Sequence, residues 1–332
     1  MHNNTTNSGI FTISLDFELY WGMRDCVSLN NYSKNLDGVH NAITTLLKLF
    51  KEYNIHATWA PVGFLYFPND KELKQNIPNI RPNYTNANLS PYTYIETRDL
   101  TKYHFAPNLL KKISTCKNQE LGSHTFSHFY CLEDGQTESE FETDLRCAMD
   151  ITKKELGIEV KSLIFPRNQH NYLSLLAKYE ICYRGTQEHW IYKAVKEKEN
   201  TLYKRGFKLL DSYINLTGHH TYTLKKVLDT KPYNIAASHF LRSQNNYPDF
   251  LQKMQLNRIM KAMDYAAKNC EVYHLWWHPH NFGVNTKSNI DFLETILRHY
   301  QHLQQTYKMR SLNMGEISSL ISQESSLGHQ DL

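Results

Sequence analysis

The feature that most constrains the fold of this chain is a repeated alternation of short apolar runs with helical segments. GIFTISLDF (9–17) is rich in β-forming residues, and apolar side chains recur at helical spacing after residue 37. SLIF (162–165), NIAASHF (234–240) and EVYHLWWH (271–278) indicate further strands. The alternation predicts parallel strands joined by helices, either as a barrel or as an open doubly wound sheet.

Two other stretches define the organisation of the chain. Thr137-x-x-Glu140 is a capping box that precedes an apolar series ending near Gly157, which predicts a helix over this range. Residues 66–105 are rich in Asn, Pro and Tyr without clear periodicity, as is typical of a substrate lid or a mobile insertion. We therefore expect one catalytic domain over 1–320, an insertion at about 66–105, and a disordered tail over 321–332.

Composition narrows the possible partners. Lys and Arg (37) exceed Asp and Glu (33) by only four, and no basic run stands out, so no nucleic-acid partner is expected. The polar start MHNNTTNSG is unlike a signal peptide, and no segment approaches a bilayer span, so we expect a cytoplasmic protein with no transmembrane segment. The six cysteines are scattered, which favours reduced thiols over disulfides or metal ligands.

Polar side chains follow several of the predicted strands, at the end where ligands bind in parallel α/β folds. These residues are Asp16, Glu18, His124, His128, Arg167, His278 and His280. His124 and His128 are four apart, so on a helix or a tight helical loop both rings would reach one ion. Taken alone, the pair could equally lie on a solvated face. On a regular strand Asp16 and Glu18 would share one face.

Five motifs carry a resemblance to a known family. They are SLDFELYWG, ATWAPVGFL, ELGSHTFSH, LIFPRN and LWWHPHNFG, in this order. The series resembles the polysaccharide deacetylases of the NodB-homology type (carbohydrate esterase family 4) over residues 9–285, most specifically at His124-Thr125-Phe126-Ser127-His128. The resemblance implies an α/β fold, a distorted (β/α) barrel of parallel strands with outer helices, and a divalent metal, commonly zinc.

The same resemblance implies roles for the polar residues. Many members have adjacent aspartates in the first motif, whereas this chain has the D-x-[DE] order Asp16-Phe17-Glu18. By resemblance to that branch, Asp16 is the catalytic base, His278 the acid, and Arg167 the partner that keeps Asp16 ionised. The implied metal ligands are Glu18, His124 and His128. The altered motif leaves open which carboxylate does which task.

Two further assignments concern the last motif and the aromatic residues. His274 and His280 are the alternatives to His278 as the acid. His274 is an alternative because it shares a strand face with His278. Trp276, Trp277 and the pair Tyr20-Trp21 are the candidates for stacking on the sugar, and of these Trp21 and Trp277 are taken as the substrate-binding residues, although core packing is the commoner fate of a tryptophan.

The expected function is hydrolysis of an N-acetyl or other acyl group on an amino sugar or surface-polysaccharide precursor. A metal with three protein ligands activates water, a carboxylate accepts its proton, and a histidine protonates the leaving nitrogen. Zinc is the expected metal, although the same ligands suit cobalt, nickel or iron. Two alternatives stand beside this: a glycoside hydrolase using Asp16 and Glu18 alone, and a carbohydrate-binding protein without turnover.

Overall fold

The computed structural model describes residues 8–193, 195–244 and 248–327. All pairings between its strands are parallel. The strands are β1 (Ile10–Phe17), β2 (Ala57–Pro61), β3 (Gln119–Leu121), β4 (Ser162–Ile164), β5 (Cys182–Arg184), β6 (His239–Phe240), β7 (Val272–Trp277) and β8 (Arg310–Ser311). One sheet has the order β3-β2-β1-β7-β6, with β8 paired to the start of β1, and β4 pairs with β5 separately.

Single bridges join the two sheets into a ring. Ser123, just after β3, bridges to Leu163 of β4, and Tyr183 of β5 bridges to Asn234. The segment from Asn234 then leads into β6, which pairs with β7. The strands therefore close a distorted barrel, and the predicted parallel α/β barrel is confirmed.

Twelve helices connect and surround the strands in the described part of the chain. They are α1 (Leu29–Asp37), α2 (Val39–Glu52), α3 (Asp70–Gln75), α4 (Pro91–Thr97), α5 (Pro107–Ser114), α6 (Glu138–Leu156), α7 (Leu173–Lys178), α8 (Leu202–Asp211), α9 (Leu224–Leu228), α10 (Asp249–Asn269), α11 (Thr286–Tyr307) and α12 (Met314–Leu327). The predicted helix over 137–157 is α6. Its capping box forms through Thr137 and Glu140, and Gly157 ends it at φ 70°.

Strand β1 runs through the middle of the molecule and is buried along its whole length. Its alternate side chains have different surroundings, because successive residues of a strand point to opposite faces. Ile13, Leu15 and Phe17 belong to the main hydrophobic core. Ser14 and Asp16 instead contact polar groups from other strands. The strand therefore carries polar groups toward one end of the barrel.

The predicted insertion at 66–105 is structured and packed. It forms α3 and α4, and it buries Leu73, Tyr92 and Ile95 in the main core. It also covers the loop after β1, because the Trp21 indole donates a hydrogen bond to the backbone oxygen of His104 at 2.8 Å. The insertion is thus packed onto the core and onto the loop after β1, and its role as a substrate lid stays a prediction.

The C-terminal segment differs from the expectation as well. Helix α12 continues through Leu327, so residues 321–327 are helical, and the rest of the predicted tail, 328–332, lies outside the described residues. Within the described part of the chain, no helix combines the length and the apolarity needed to cross a membrane.

Candidate active site

Glu18, His124 and His128 lie together at the end of the barrel where β1 and β3 finish. Their potential ligand atoms are all within 4.8 Å of one another, and each residue is buried. Glu18 Oε2 is 3.2 Å from His124 Nε2 and 3.0 Å from His128 Nε2. Two ring nitrogens and a carboxylate oxygen therefore converge on a single point.

The hydrogen bonds of the two histidines and the pKa of His128 show which kind of ligand fits between them. His124 Nδ1 is 2.8 Å from the backbone oxygen of Ile164, which can only accept, so Nδ1 carries the proton. In a neutral ring, Nε2 then presents a lone pair toward the Glu18 carboxylate. Burial lowers the pKa of His128 to about 4, so the His128 ring is neutral near pH 7. The lone pairs of the two histidines and the Glu18 carboxylate thus face one another. A divalent cation between them would satisfy all three.

The loop that carries the two histidines is not a helix, contrary to the simplest reading of their spacing. Thr125 and His128 have positive φ values of 65° and 61°. Asp144, projecting from α6, accepts a hydrogen bond from the Phe126 backbone N–H at 2.7 Å. Irregular backbone held by a buried carboxylate, and not one turn of helix, thus brings His124 and His128 to the same side.

Gly22 is required by the position of Glu18. A Cβ atom at Gly22 would lie 2.0 Å from the carboxyl carbon of Glu18, well inside van der Waals contact. The backbone turns sharply between them, where the Trp21 N–H donates to the Glu18 carbonyl at 3.0 Å. Any larger residue at position 22 would therefore push the carboxylate away from the histidines.

Asp16 forms an ion pair with Arg184, the last residue of β5. The sequence analysis did not identify Arg184. Arg184 Nη1 and Nη2 donate to the two Asp16 oxygens at 2.6 and 2.8 Å. Burial alone would raise the pKa of Asp16, but the Arg184 guanidinium outweighs it and holds this pKa below its ordinary value. Asp16 is therefore an ionised and oriented acceptor.

The prediction that Arg167 pairs with Asp16 is wrong. Arg167 donates instead to Asp25 at 2.8 Å, and its guanidinium lies 4.3 Å from the centre of the Tyr130 ring. It follows β4 with a φ of 53°, in the left-handed region of backbone conformation. The available signal for Arg184 was a basic residue at the end of the buried strand EICYRG.

The three competing histidines have different surroundings. His278 Nε2 lies 3.5 Å from Glu18 and 3.9 Å from Asp16, and its side chain is 23% exposed. His280 Nε2 is 3.9 Å from Glu18 but is buried, and burial lowers its pKa to about 3. His274 donates to or accepts from Ser14 Oγ at 2.8 Å below the site. Of the three, His278 combines contact with both carboxylates and access from outside.

The two tryptophans predicted to stack on a sugar do not reach the surface. Trp21 and Trp277 are both 0% exposed and belong to the main hydrophobic core. Their assignment as substrate-binding residues is wrong, because a fully buried ring offers no face to a ligand. Trp276, the neighbour of Trp277, points the other way along β7. Its ring is 5.7 Å from that of His278, beside an open cleft.

Comparisons with known proteins add information on the fold. No protein-family model and no curated protein sequence matches the chain. Among solved structures, a Mycobacterium smegmatis protein with the provisional name polysaccharide deacetylase has 12% identity and a TM-score of 0.59, covering 96% of this chain and 92% of its own. The fold is that of a polysaccharide deacetylase.

Two other structures share this deacetylase fold. Puue allantoinase has 10% identity and a TM-score of 0.55, covering 96% of this chain and 91% of its own. A GH57-type branching enzyme from the archaeon Pyrococcus horikoshii has 9% identity and a TM-score of 0.50, covering 92% of this chain and 69% of its own. At such identities the likeness establishes the barrel, and the chemistry must be argued from the site.

Proposed function

We propose that the protein is a metal-dependent hydrolase that removes an acyl group, in the first place N-acetyl, from the nitrogen of an amino sugar. The observation that carries this proposal is the buried group of Glu18, His124 and His128 directly beside Asp16 and His278. A metal-type ligand set, an ionised carboxylate and an accessible histidine at one barrel mouth are the groups that amide hydrolysis needs.

Glu18, His124 and His128 would hold the metal. Two imidazole nitrogens and one carboxylate match catalytic zinc sites, which keep a coordination position open, so zinc is the metal proposed. When bound, zinc supplies a Lewis acid and lowers the pKa of a bound water to about 7. The hydrogen bond from His124 Nδ1 to the Ile164 carbonyl orients the ring for this task, as outer partners of ligand histidines do.

Asp16 would accept the proton of the attacking water. Its two oxygens are fixed by Arg184, so the carboxylate stays ionised and does not rotate away. It occupies the strand position two residues before Glu18, which places it beside the ligand group on the barrel interior. An ionised acceptor next to the nucleophile is the arrangement of a general base.

His278 would donate a proton to the departing nitrogen. Its ring lies on the open side of the site, 3.5 Å from Glu18, and its partial exposure lets it exchange protons with solvent. Trp276 and Phe240 pack around this ring at 5.7 and 5.8 Å between ring centres, which restricts its orientation. The amine leaves poorly as an anion, so a positioned acid is needed on that side.

The first test is elemental analysis of the purified protein with its Glu18→Ala and His124→Ala variants, and with His40→Ala, at an exposed position on α2, as control. We expect about one zinc per chain in the parent and the control, and loss of zinc in both site variants. Acetate release from N-acetylated sugars should follow the same pattern and stop when the metal is chelated.

Two other results would each support a different function. Full hydrolytic activity in the presence of a chelator would contradict the proposal and favour a glycoside hydrolase based on Asp16 and Glu18, a candidate to which the shared fold of the GH57-type branching enzyme adds weight. Sugar binding without metal or turnover would contradict it in favour of a carbohydrate-binding protein.

A further inference from the structure

A cleft of about 320 Å³ opens next to His278 and is not used by the proposed reaction. Trp276 and Phe240 form its wall toward His278. Asn168, which also lines the cleft, accepts a hydrogen bond from Arg184 at 3.1 Å. A substrate with its reacting group at the Glu18 site could therefore extend directly into this space.

The lining of the cleft carries positive charge without negative charge. Arg167, Lys193, Lys208 and Arg242 line it, and none of the Asp and Glu side chains that the structure describes does. Arg167 is balanced by Asp25. Among the side chains that the structure describes, no salt bridge reaches the other three. Burial lowers the pKa of Lys208, as expected of an ammonium group without a carboxylate partner.

Several polar atoms in the same lining lack a hydrogen-bond partner among the described residues. Arg242 Nε and Trp276 Nε1 are donors, and Asn200 Oδ1 is an acceptor. Both ring nitrogens of His239 also lack a partner, and because burial lowers the pKa of this ring, one of them is a donor and the other an acceptor. His239 is only 6% exposed, so its ring is largely withdrawn from water. Buried polar atoms are nearly always satisfied in proteins, so the unsatisfied donors of Arg242 and Trp276, beside the cations of the lining, point to an anionic ligand.

We propose that this cleft binds a phosphoryl group carried by the acylated sugar. The substrate would then be a sugar phosphate, or a sugar joined through a diphosphate to a nucleotide or a lipid carrier. This inference rests on the proposed function, and it assigns that function a substrate class. Phosphate fits better than a single carboxylate, because Lys193, Lys208 and Arg242 supply three cations that pair with no described carboxylate, and a diphosphate carries more than one charge.

Binding is measured first, separately from activity. Because pyrophosphate is itself a metal ligand, isothermal titration calorimetry is carried out on Glu18→Ala, with inorganic pyrophosphate, N-acetylglucosamine 1-phosphate, UDP-N-acetylglucosamine, N-acetylglucosamine and glucuronic acid as probes. We expect the three phosphate compounds to bind and the two others to bind at least about tenfold more weakly. The ratio between the 1-phosphate and the nucleotide sugar distinguishes a simple sugar phosphate from a diphosphate-linked substrate.

The residues are tested by adding Lys208→Gln and Arg242→Gln to the same background. We expect the affinity for phosphate compounds to fall by about tenfold or more, since each change removes a charged hydrogen-bond donor. Lys225→Gln, at an exposed position of α9 outside the cleft, is the matched control and should leave the affinity unchanged.

Three outcomes would overturn the inference: no phosphate binding in Glu18→Ala, equal affinities with and without the two glutamines, or glucuronic acid binding as tightly as phosphate. Failure of the proposed function is seen elsewhere, in the metal content and the chelator test. A protein that binds phosphate but lacks metal would keep the cleft assignment and lose the hydrolase assignment.

Discussion

The two sides of the candidate active site are built in different ways. The ligand side, Glu18, His124 and His128, is almost completely buried, and its loop is held by Asp144. The cleft side consists of Lys193, Lys208, His239, Arg242 and Trp276. It adjoins α8, where Leu202 and Tyr203 are 81% and 69% exposed.

This difference matches the tasks that we propose for the two sides. Groups that take part in bond breaking need fixed geometry, and small displacements of such groups are costly for the rate. Groups that recognise a substrate can lie on loops and exposed helices, where sequence changes cost little stability. We therefore expect substitutions on the ligand side to affect metal, activity and folding, and substitutions on the cleft side to affect mainly substrate affinity.

The largest difference in metal content and activity is expected between alanine substitutions at two glycines, one on each side of the site. In Gly22→Ala, the new methyl group would occupy the space of the Glu18 carboxylate, and that side chain would swing away from the histidines while the fold persists. We expect a loss of metal and about a 100-fold or greater loss of activity. Metal analysis and rate measurements on the purified variant test this.

Gly206→Ala on the cleft side is the matched control. A Cβ atom there meets nothing within 4 Å, and the residue lies inside α8. Helix propensity should make this variant more stable by about 0.5–1 kcal/mol, with unchanged metal content. Full metal occupancy in Gly22→Ala would show that Glu18 tolerates displacement.

The second contrast is between two arginines. Arg184→Met leaves the buried Asp16 without its partner, and we expect a loss of about 3–5 kcal/mol of unfolding free energy. Arg167→Met removes a partly exposed partner of Asp25, which still accepts from Tyr130, so about 1–2 kcal/mol is expected. Urea denaturation measures both, and equal losses would contradict the assignment of Arg184 as the partner of the proposed base.

The third contrast is between adjacent tryptophans of β7. Trp277→Ala empties a fully buried position and should cost about 3 kcal/mol or more. Trp276→Ala should cost about 1 kcal/mol, chiefly through its contact with the Arg184 guanidinium, 4.1 Å from the ring centre. Only Trp276→Ala should weaken phosphate binding. A similar stability loss in both variants would argue against the two orientations.

The smallest effect concerns the pH dependence of stability that a histidine of the 66–105 insertion contributes. Burial lowers the pKa of His104 from 6.5 to about 4, so the unfolded chain binds this proton more readily than the folded one. Stability should be complete above about pH 6.5 and should fall on acidification toward pH 4, by up to about 1.4 kcal/mol per pH unit for this residue.

Denaturation of His104→Gln at pH 7, 6 and 5 tests this sign. The variant should lose less stability than the parent between pH 7 and 5, although other buried histidines such as His128 keep part of the dependence. His40→Gln, at an exposed position of α2, should follow the parent. Parallel curves for the parent and His104→Gln would contradict the neutral, buried state of this ring.

Much of the architecture was predictable because it depends on local patterns. The β-then-α alternation reflects which residues can pack on both faces of a strand, and the capping box of α6 is a contact between residues three apart. The ligand group was predictable for a related reason. Strand ends in a parallel sheet meet at one edge, so Glu18 and His124 could be placed near one another from their order alone.

Most of the missed features depend on contacts between residues far apart in the chain, and all of them join separate structural elements. Arg184 reaches Asp16 across 168 positions, and Asp144 holds the histidine loop from a separate helix. The burial of Trp21 depends on His104 in an insertion that carries no periodic signal. Arg167 had the expected position after its strand, but it pairs with Asp25, 142 positions away in the chain.

The amino-acid sequence by itself determined the strand–helix order and which polar residues stand at the strand ends, because spacing and residue type act over a few positions. Only the tertiary structure decided which arginine pairs with Asp16, which tryptophan faces the cleft, and where the cations of the cleft collect. Those outcomes depend on how segments more than a hundred residues apart share one buried volume, and no local pattern records that competition.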